Sequence, residues 1–167
     1  MESAQKWIAQ LGLQPHPEGG FFRETYRATE ELASAGLPAR FEGPRSFSTG
    51  IYFLLRSQDR SLFHRIQSDE MWHFYAGSSL AIYVLHQGKL EIKKLGARPD
   101  DGFSFQCVVP AGAWFGARVN EPESYVLAGC TVSPGFDFRD FELARRSELL
   151  AEYPTHRHII EELTLPS

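Results

Sequence analysis

The sequence is short of cysteine, of net charge and of long apolar runs, and each shortage excludes something. Two cysteines in 167 residues, Cys107 and Cys130, are too few for a disulfide scaffold. Both lie in apolar runs and read as small buried hydrophobes. Seventeen Lys and Arg against 21 Asp and Glu leave a net charge of −4, so the basic footprint of a nucleic-acid binder is missing. Nowhere do the roughly 18 consecutive apolar residues of a membrane span occur. Residues 3–11 (SAQKWIAQL) lack the apolar centre of a signal peptide, and a cytoplasmic location with reduced thiols is therefore expected. No serine or cysteine carries a nucleophile signature such as G-x-S-x-G. Helical runs between the apolar segments are also missing, which argues against a βαβ sheet.

What the chain does have is aromatic residues and turn formers: Phe 13, Tyr 6 and Trp 3, with Gly 14 and Pro 10. From residue 46 onward, segments such as SFSTGIYFLL, SLFHRI, EMWHFY, SLAIYVL, FSFQCVV and SYVLAGCTV follow one another. Breaks of the type RSQDR, HQG and PAGA separate them. Evenly spaced short strands with turn chemistry between them predict an all-β sandwich or barrel. Residues 3–11 predict a short amphipathic helix capped by Ser3, ended by Gly12, with Trp7, Ile8 and Leu11 on one face. Residues 28–44 read as a long surface loop with a helical turn near 30–35. Residues 141–153 (FELARRSELLAEY) predict a helix stopped by Pro154, with a further helical turn at 158–163.

The most informative stretch is residues 61–77, SLFHRIQSDEMWHFYAG. Read as a hairpin with Ile66 opposite Glu70, it puts His64, Ile66, Glu70, Trp72 and Phe74 on one face. His64 and Glu70 then become diagonal neighbours about 7–8 Å apart at the backbone. A His and a carboxylate on an apolar face must be paired or functional; the plain reading is a satisfied pair in the core, the sharper one a site. A slip of one residue would put His73 in the place of His64.

This stretch resembles the first motif of the cupin superfamily, G-x5-H-x-H-x3,4-E-x6-G, with His64 as the first histidine, Glu70 as the glutamate and Gly77 as the closing glycine. Residues 109–112 (VPAG) resemble the P-x-G of the second motif. Taken together, PHPEGGFFRETYR, FHRIQSDEMWHFYAG, VVPAGAWFGA and CTVSPGFDFRDFEL look like the blocks of one cupin subfamily long described only as a domain of unknown function. The resemblance covers nearly the whole chain. It implies a double-stranded β-helix (jelly-roll) barrel and a homodimer. Metal-binding cupins place three His and one Glu in the barrel. Here the second histidine of H-x-H is Ile66, the motif-2 histidine is Phe115, and only His64 and Glu70 remain. A transition ion normally takes at least three protein ligands, so no resident metal is expected, and any that bound would rest on His64 and Glu70. The sugar-nucleotide 3,5-epimerases are similar in barrel and carry a His and a Lys where His64 and Glu70 stand. By that resemblance His64 takes a proton from a carbon beside a carbonyl and Glu70 orients it. An anionic Glu70 in place of the Lys would oppose a developing oxyanion.

The segment PHPEGGFFRETYR offers a second candidate. As a strand over the barrel mouth it would present Arg23 or Tyr26 to an anionic ligand; as an edge strand its charges would simply be solvated. His86, His156 and His158 read as surface residues, and Asp137 as a turn cap that could also reach the barrel. The expectation is one cupin domain over 1–167, of about ten strands, with the barrel over 21–138, a helical segment over 140–163 and short helices at both ends. Its pocket would be walled by Trp72, Phe74 and Phe115, with His64 and Glu70 as catalytic pair. It would take a small, carbohydrate-like molecule, either as a metal-independent isomerase or epimerase-like enzyme with His64 as base, as a non-catalytic binding module, or as a weak-metal cupin.

Overall fold

The computed structural model describes residues 3–166. In chain order it contains α1 (Ala4–Leu11), β1 (Gln14–Pro15), β2 (Phe21–Arg27), β3 (Glu31–Leu32), β4 (Arg45–Ser46), β5 (Thr49–Arg56), β6 (Ser61–Arg65), β7 (Asp69–Gly77), β8 (Leu80–His86), β9 (Lys89–Leu95), β10 (Gln106–Val109), β11 (Trp114–Val119), β12 (Tyr125–Ser133), β13 (Glu142–Leu143), α2 (Arg146–Glu152) and α3 (Arg157–Glu162). A six-stranded sheet runs β1-β2-β5-β12-β7-β10 and a five-stranded sheet runs β13-β6-β11-β8-β9, all ladders antiparallel. β3 and β4 pair separately. This is the all-β jelly roll with short terminal helices.

The two sheets face each other because each presents an apolar inward side for the other to bury. Phe53, Leu55 and Trp72 from the first sheet meet Ile82, Val84, Phe115 and Ala117 from the second in one buried cluster. The outer face of the five-stranded sheet is also apolar. Phe63, Tyr83, Leu85 and Trp114 are covered there by Leu149, Tyr153, Ile160 and Leu163 of the C-terminal helical segment. On the other sheet, Trp7, Ile8 and Leu11 of α1 lie over Leu54 and Leu127. α1 begins where the Ser3 hydroxyl accepts the Lys6 N–H and ends at Gly12 in the left-handed conformation, as its caps predict.

Three local expectations are corrected. β6 and β7 do not form a hairpin, and Ile66 is not paired with Glu70. β6 pairs with β11 and β13, whereas β7 pairs with β12 and β10 in the other sheet. The residues between them therefore carry the chain from one sheet to the other. Within residues 28–44 the helical turn sits at Ser34–Gly36, and Glu31–Leu32 is extended and paired with β4. The tail is not helical from 141. Glu142–Leu143 is captured as an edge strand against Arg65 and His64, with Arg65 and Glu142 ion-paired at 2.7 Å, and the helix starts only at Arg146.

Candidate functional site

One end of the space between the sheets stays open as a cavity of about 310 Å³. Phe22, Ile51, Phe53, Ile66, Trp72 and Val132 give it apolar walls, and His16, Glu18, His64, Glu70 and Cys130 supply its polar groups. Glu24, Arg27 and Phe138, which also line it, are exposed and mark its mouth. Although β6 and β7 are not paired, alternation along each strand turns the expected side chains inward. His64, Ile66, Glu70 and Trp72 all reach the cavity, His64 and Ile66 from one side and Glu70 and Trp72 from the other. His73 faces outward, its Nε2 3.0 Å from the Thr131 hydroxyl.

His64 is buried and both of its ring nitrogens are committed. Nε2 lies 2.7 Å from Glu18 Oε2, and Nδ1 lies 2.7 Å from the Leu62 carbonyl oxygen. Both partners are acceptors, so both nitrogens must carry protons, which is the imidazolium form. Burial alone would lower the His64 pKa; the Glu18 charge and hydrogen bond, aided by Glu70 and the Leu62 carbonyl, outweigh it and raise it. A histidine with no free lone pair cannot take a proton from a substrate. The role of base expected for His64 does not fit this geometry.

Glu18 holds the other half of the pair. Burial pushes its pKa up, but the charge and hydrogen bond of His64, with help from His16 and the Ser61 hydroxyl at 3.0 Å, bring it below the usual carboxylate value. The loop that delivers it depends on glycine. Gly19 and Gly20 both have positive φ, and a Cβ on Gly19 would collide with the Arg60 carbonyl oxygen. That close approach lets the Glu18 carbonyl accept the Leu62 N–H at 2.8 Å and sets the carboxylate beside His64. His16 packs edge-on to Phe22 and Phe53 and accepts the Glu18 N–H at Nδ1, 3.2 Å away.

Glu70 behaves differently. Burial, added to the negative charge of Glu18, outweighs the pull of His64 and pushes its pKa up to about 7. The Cys130 thiol and the Trp72 indole N–H lie against its carboxyl and favour the charged form, but the indole nitrogen completes no well-formed hydrogen bond. Burial and the neighbouring carboxyl groups push the Cys130 thiol well up, so it stays protonated. The cavity therefore joins a fixed ion pair to a carboxyl whose pKa is raised to about 7.

The remaining expected residues are placed elsewhere. Phe115 is buried opposite His64 in the β6–β11 ladder, its ring 4.1 Å from the imidazole, and backs His64 rather than walling the cavity. Phe74 is half-buried against the barrel core. Arg23 points outward and donates to the Leu11 carbonyl at 3.1 Å, and Tyr26 is 58% exposed. From β2 it is Phe22, Glu24 and Arg27 that reach the cavity, because a bulge between Glu24 and Tyr26 shifts the register. His16 and Glu18 have no role in the sequence reading; the Pro-rich stretch before a Gly pair is their one signal. Asp137 both lines the cavity and caps the turn, accepting the Arg139 N–H at 2.9 Å.

These residues do not fit a metal. His64 Nε2 is taken by Glu18, Ile66 and Phe115 supply no donors, and among the described residues no group of three His, Cys, Asp or Glu is arranged to hold an ion.

A two-sheet antiparallel jelly roll with a ligand-sized cavity between its sheets is an architecture that cupins share. The chain belongs to the family described as "Cupin superfamily (DUF985)", which it matches over residues 5–144. It is similar to the crystal structure of protein SO0799 from Shewanella oneidensis, with 40% identity, TM-score 0.90 and full coverage of both chains. A hypothetical protein from Leishmania major shows 34% identity and TM-score 0.90 over 99% of this chain and 100% of that one. The uncharacterized protein YML079W of Saccharomyces cerevisiae is 29% identical over 83% of this chain and 73% of its own length.

Proposed function

We propose that the protein binds a small molecule in the barrel cavity and that Glu70 exchanges a proton with it. The observation that carries this reading is the contrast between the two buried acid groups. Glu18 is locked as the counter-ion of His64, whereas Glu70 has a pKa of about 7 and faces the open space. A group that titrates near the working pH is suited to general acid–base chemistry. The reaction class is isomerase or epimerase-like. Ionised Glu70 removes a proton from a carbon next to a carbonyl and the electron pair passes to the carbonyl oxygen as an enolate. A proton returned by the same carboxyl to the same face restores the substrate with solvent hydrogen at that carbon, and epimerisation follows when water delivers the proton to the opposite face. His64, neutralised by Glu18, gives up no proton and holds that carboxylate away from the reaction. Apolar and aromatic walls suit one face of a ring, including a sugar ring.

Incubation with a panel of unphosphorylated carbonyl sugars in heavy water tests this. Solvent deuterium should appear on a substrate carbon, at a rate that rises through a pH near 7 and is lost in Glu70→Gln. Exchange that persists unchanged in that variant overturns the role of Glu70. Tight binding without exchange in the native protein would instead favour a non-catalytic binding module, the reading that needs only the cavity.

A further inference from the structure

The charged groups around the cavity point to the kind of ligand it admits. Two cationic side chains line it, and both are committed. The Arg27 guanidinium donates to the Glu24 carboxylate from Nε at 2.9 Å and from Nη2 at 2.8 Å, and Nη2 also reaches the Phe136 carbonyl at 2.9 Å. His64 is held by Glu18 and the Leu62 carbonyl. Facing the same space are the carboxylates of Glu18, Glu24 and Asp137. The last is met by Arg139, which does not belong to the lining. A carboxylate or phosphate entering here would lose its water and find no free cation to replace it.

Besides the buried Trp72 indole N–H, His16 offers an unpaired uncharged donor among the described residues. His16 Nδ1 accepts the Glu18 N–H, which places the ring proton on Nε2, and burial favours the neutral ring. Among the described residues no hydrogen-bond partner meets Nε2. Among the described residues the one fully buried side-chain nitrogen or oxygen without a hydrogen bond is Trp72 Nε1, so His16 Nε2 keeps some access. His16 is part of the cavity wall.

We propose that the cavity selects uncharged ligands that present a carbonyl-type oxygen to His16 Nε2–H, and that it excludes carboxylates and phosphates. This rests on the reading that the cavity is where a small molecule binds. It makes a nucleotide diphosphate an unsuitable substrate and places the preference with free sugars, lactones, ketones or amides.

Two probes of one shape test it, 2-naphthamide and 2-naphthoate, titrated into the full-length protein by calorimetry with amide chemical shifts recorded in parallel. The amide should bind at least about tenfold more tightly than the carboxylate. His16→Phe, which keeps the aromatic packing, should weaken the amide by about tenfold and leave the carboxylate unchanged. Glu24→Gln, at the exposed rim, should free Arg27 and strengthen the carboxylate by about tenfold while leaving the amide as it was; it decides the charge argument even if the His16 variant does not fold. Equal or tighter binding of naphthoate by the native protein, or an amide affinity indifferent to a folded His16→Phe, overturns the inference and leaves the cavity as a binding site. No shifts at cavity residues with either probe would overturn the proposed function as well.

Discussion

The two ends of the barrel interior are built from the same strands yet behave as different materials. Along β5 the inward side chains run Thr49, Ile51, Phe53, Leu55, and along β12 they run Val132, Cys130, Ala128, Val126. The first members of each series line the cavity, and the last pack against Ile82, Leu95 and Val119 in the barrel core. The backbone ladder is continuous between β5 and β12 from Val132 to Tyr125. The difference therefore lies in side chains. One end is filled to close packing, and the other carries buried ionisable groups that hold unusual protonation states. Such groups are costly to bury, and the filled end is what makes them tolerable.

The largest expected effect comes from breaking the ion pair at the open end. Glu18→Ala leaves the His64 imidazolium buried beside a missing partner and should cost about 3–5 kcal/mol. The raised pKa of His64 contributes stability that is present below its ordinary value and is lost as pH rises through the raised one. The lowered pKa of Glu18 contributes stability present above its ordinary value and lost as pH falls through the lowered one. The deficit should thus be full near pH 6 in denaturant titrations. The His64 pKa measured by NMR should also fall in the variant; an unchanged value would mean that Glu18 does not organise the site. At the filled end, Ile82→Ala should cost about 2–5 kcal/mol through the void it leaves. It should not move the Glu70 titration, and if it did the two ends would be coupled.

The fold was readable because alternation and turn spacing report directly on a two-sheet barrel. The inward faces of β6 and β7 were readable for the same reason, and His64 and Glu70 fell on the correct side even though their strands sit in opposite sheets. A period of two fixes which face a residue occupies, and it says nothing about which strand lies alongside. That limit hid the true neighbour of His64. Glu18 is 46 residues away along the chain, reaches His64 from an irregular loop with no period, and is placed by a glycine contact that has no signature beyond the Gly pair. The protonation of His64 was hidden too, since it follows from two acceptors that only the fold brings to the ring.

Glu70 sharpens the contrast in the opposite direction, because its removal should stabilise. Its folded pKa of about 7 lies above the value of 4.5 expected for an exposed glutamate. The native protein then holds the proton more tightly than the unfolded chain does, and stability falls as pH rises from 4.5 toward 7 and stays reduced above it. Glu70→Gln removes that dependence. Below pH 4.5 the variant should match the native protein on this account, and at pH 8 it should be more stable by about 3 kcal/mol at most. Thermal scans should show a Tm higher by roughly 5–10 °C at pH 8, and an equal shift at both pH values would mean that Glu70 is not the buried acid that titrates.

The smallest effects belong to the outer face of β2. Arg23→Ala gives up one exposed hydrogen bond to the Leu11 carbonyl, and Tyr26→Ala removes a side chain that is mostly in solvent. Each should change stability by no more than about 0.5 kcal/mol. Neither should alter the affinity of a ligand in the cavity. Phe22→Ala, one residue away on the inner face, should weaken both, because Phe22 walls the cavity and packs against His16 with ring centres 4.6 Å apart. Measured side by side, the Arg23 and Phe22 variants decide whether β2 acts through its inner face. A ligand affinity that followed Arg23 instead would mean that the strand turns over when the cavity is filled.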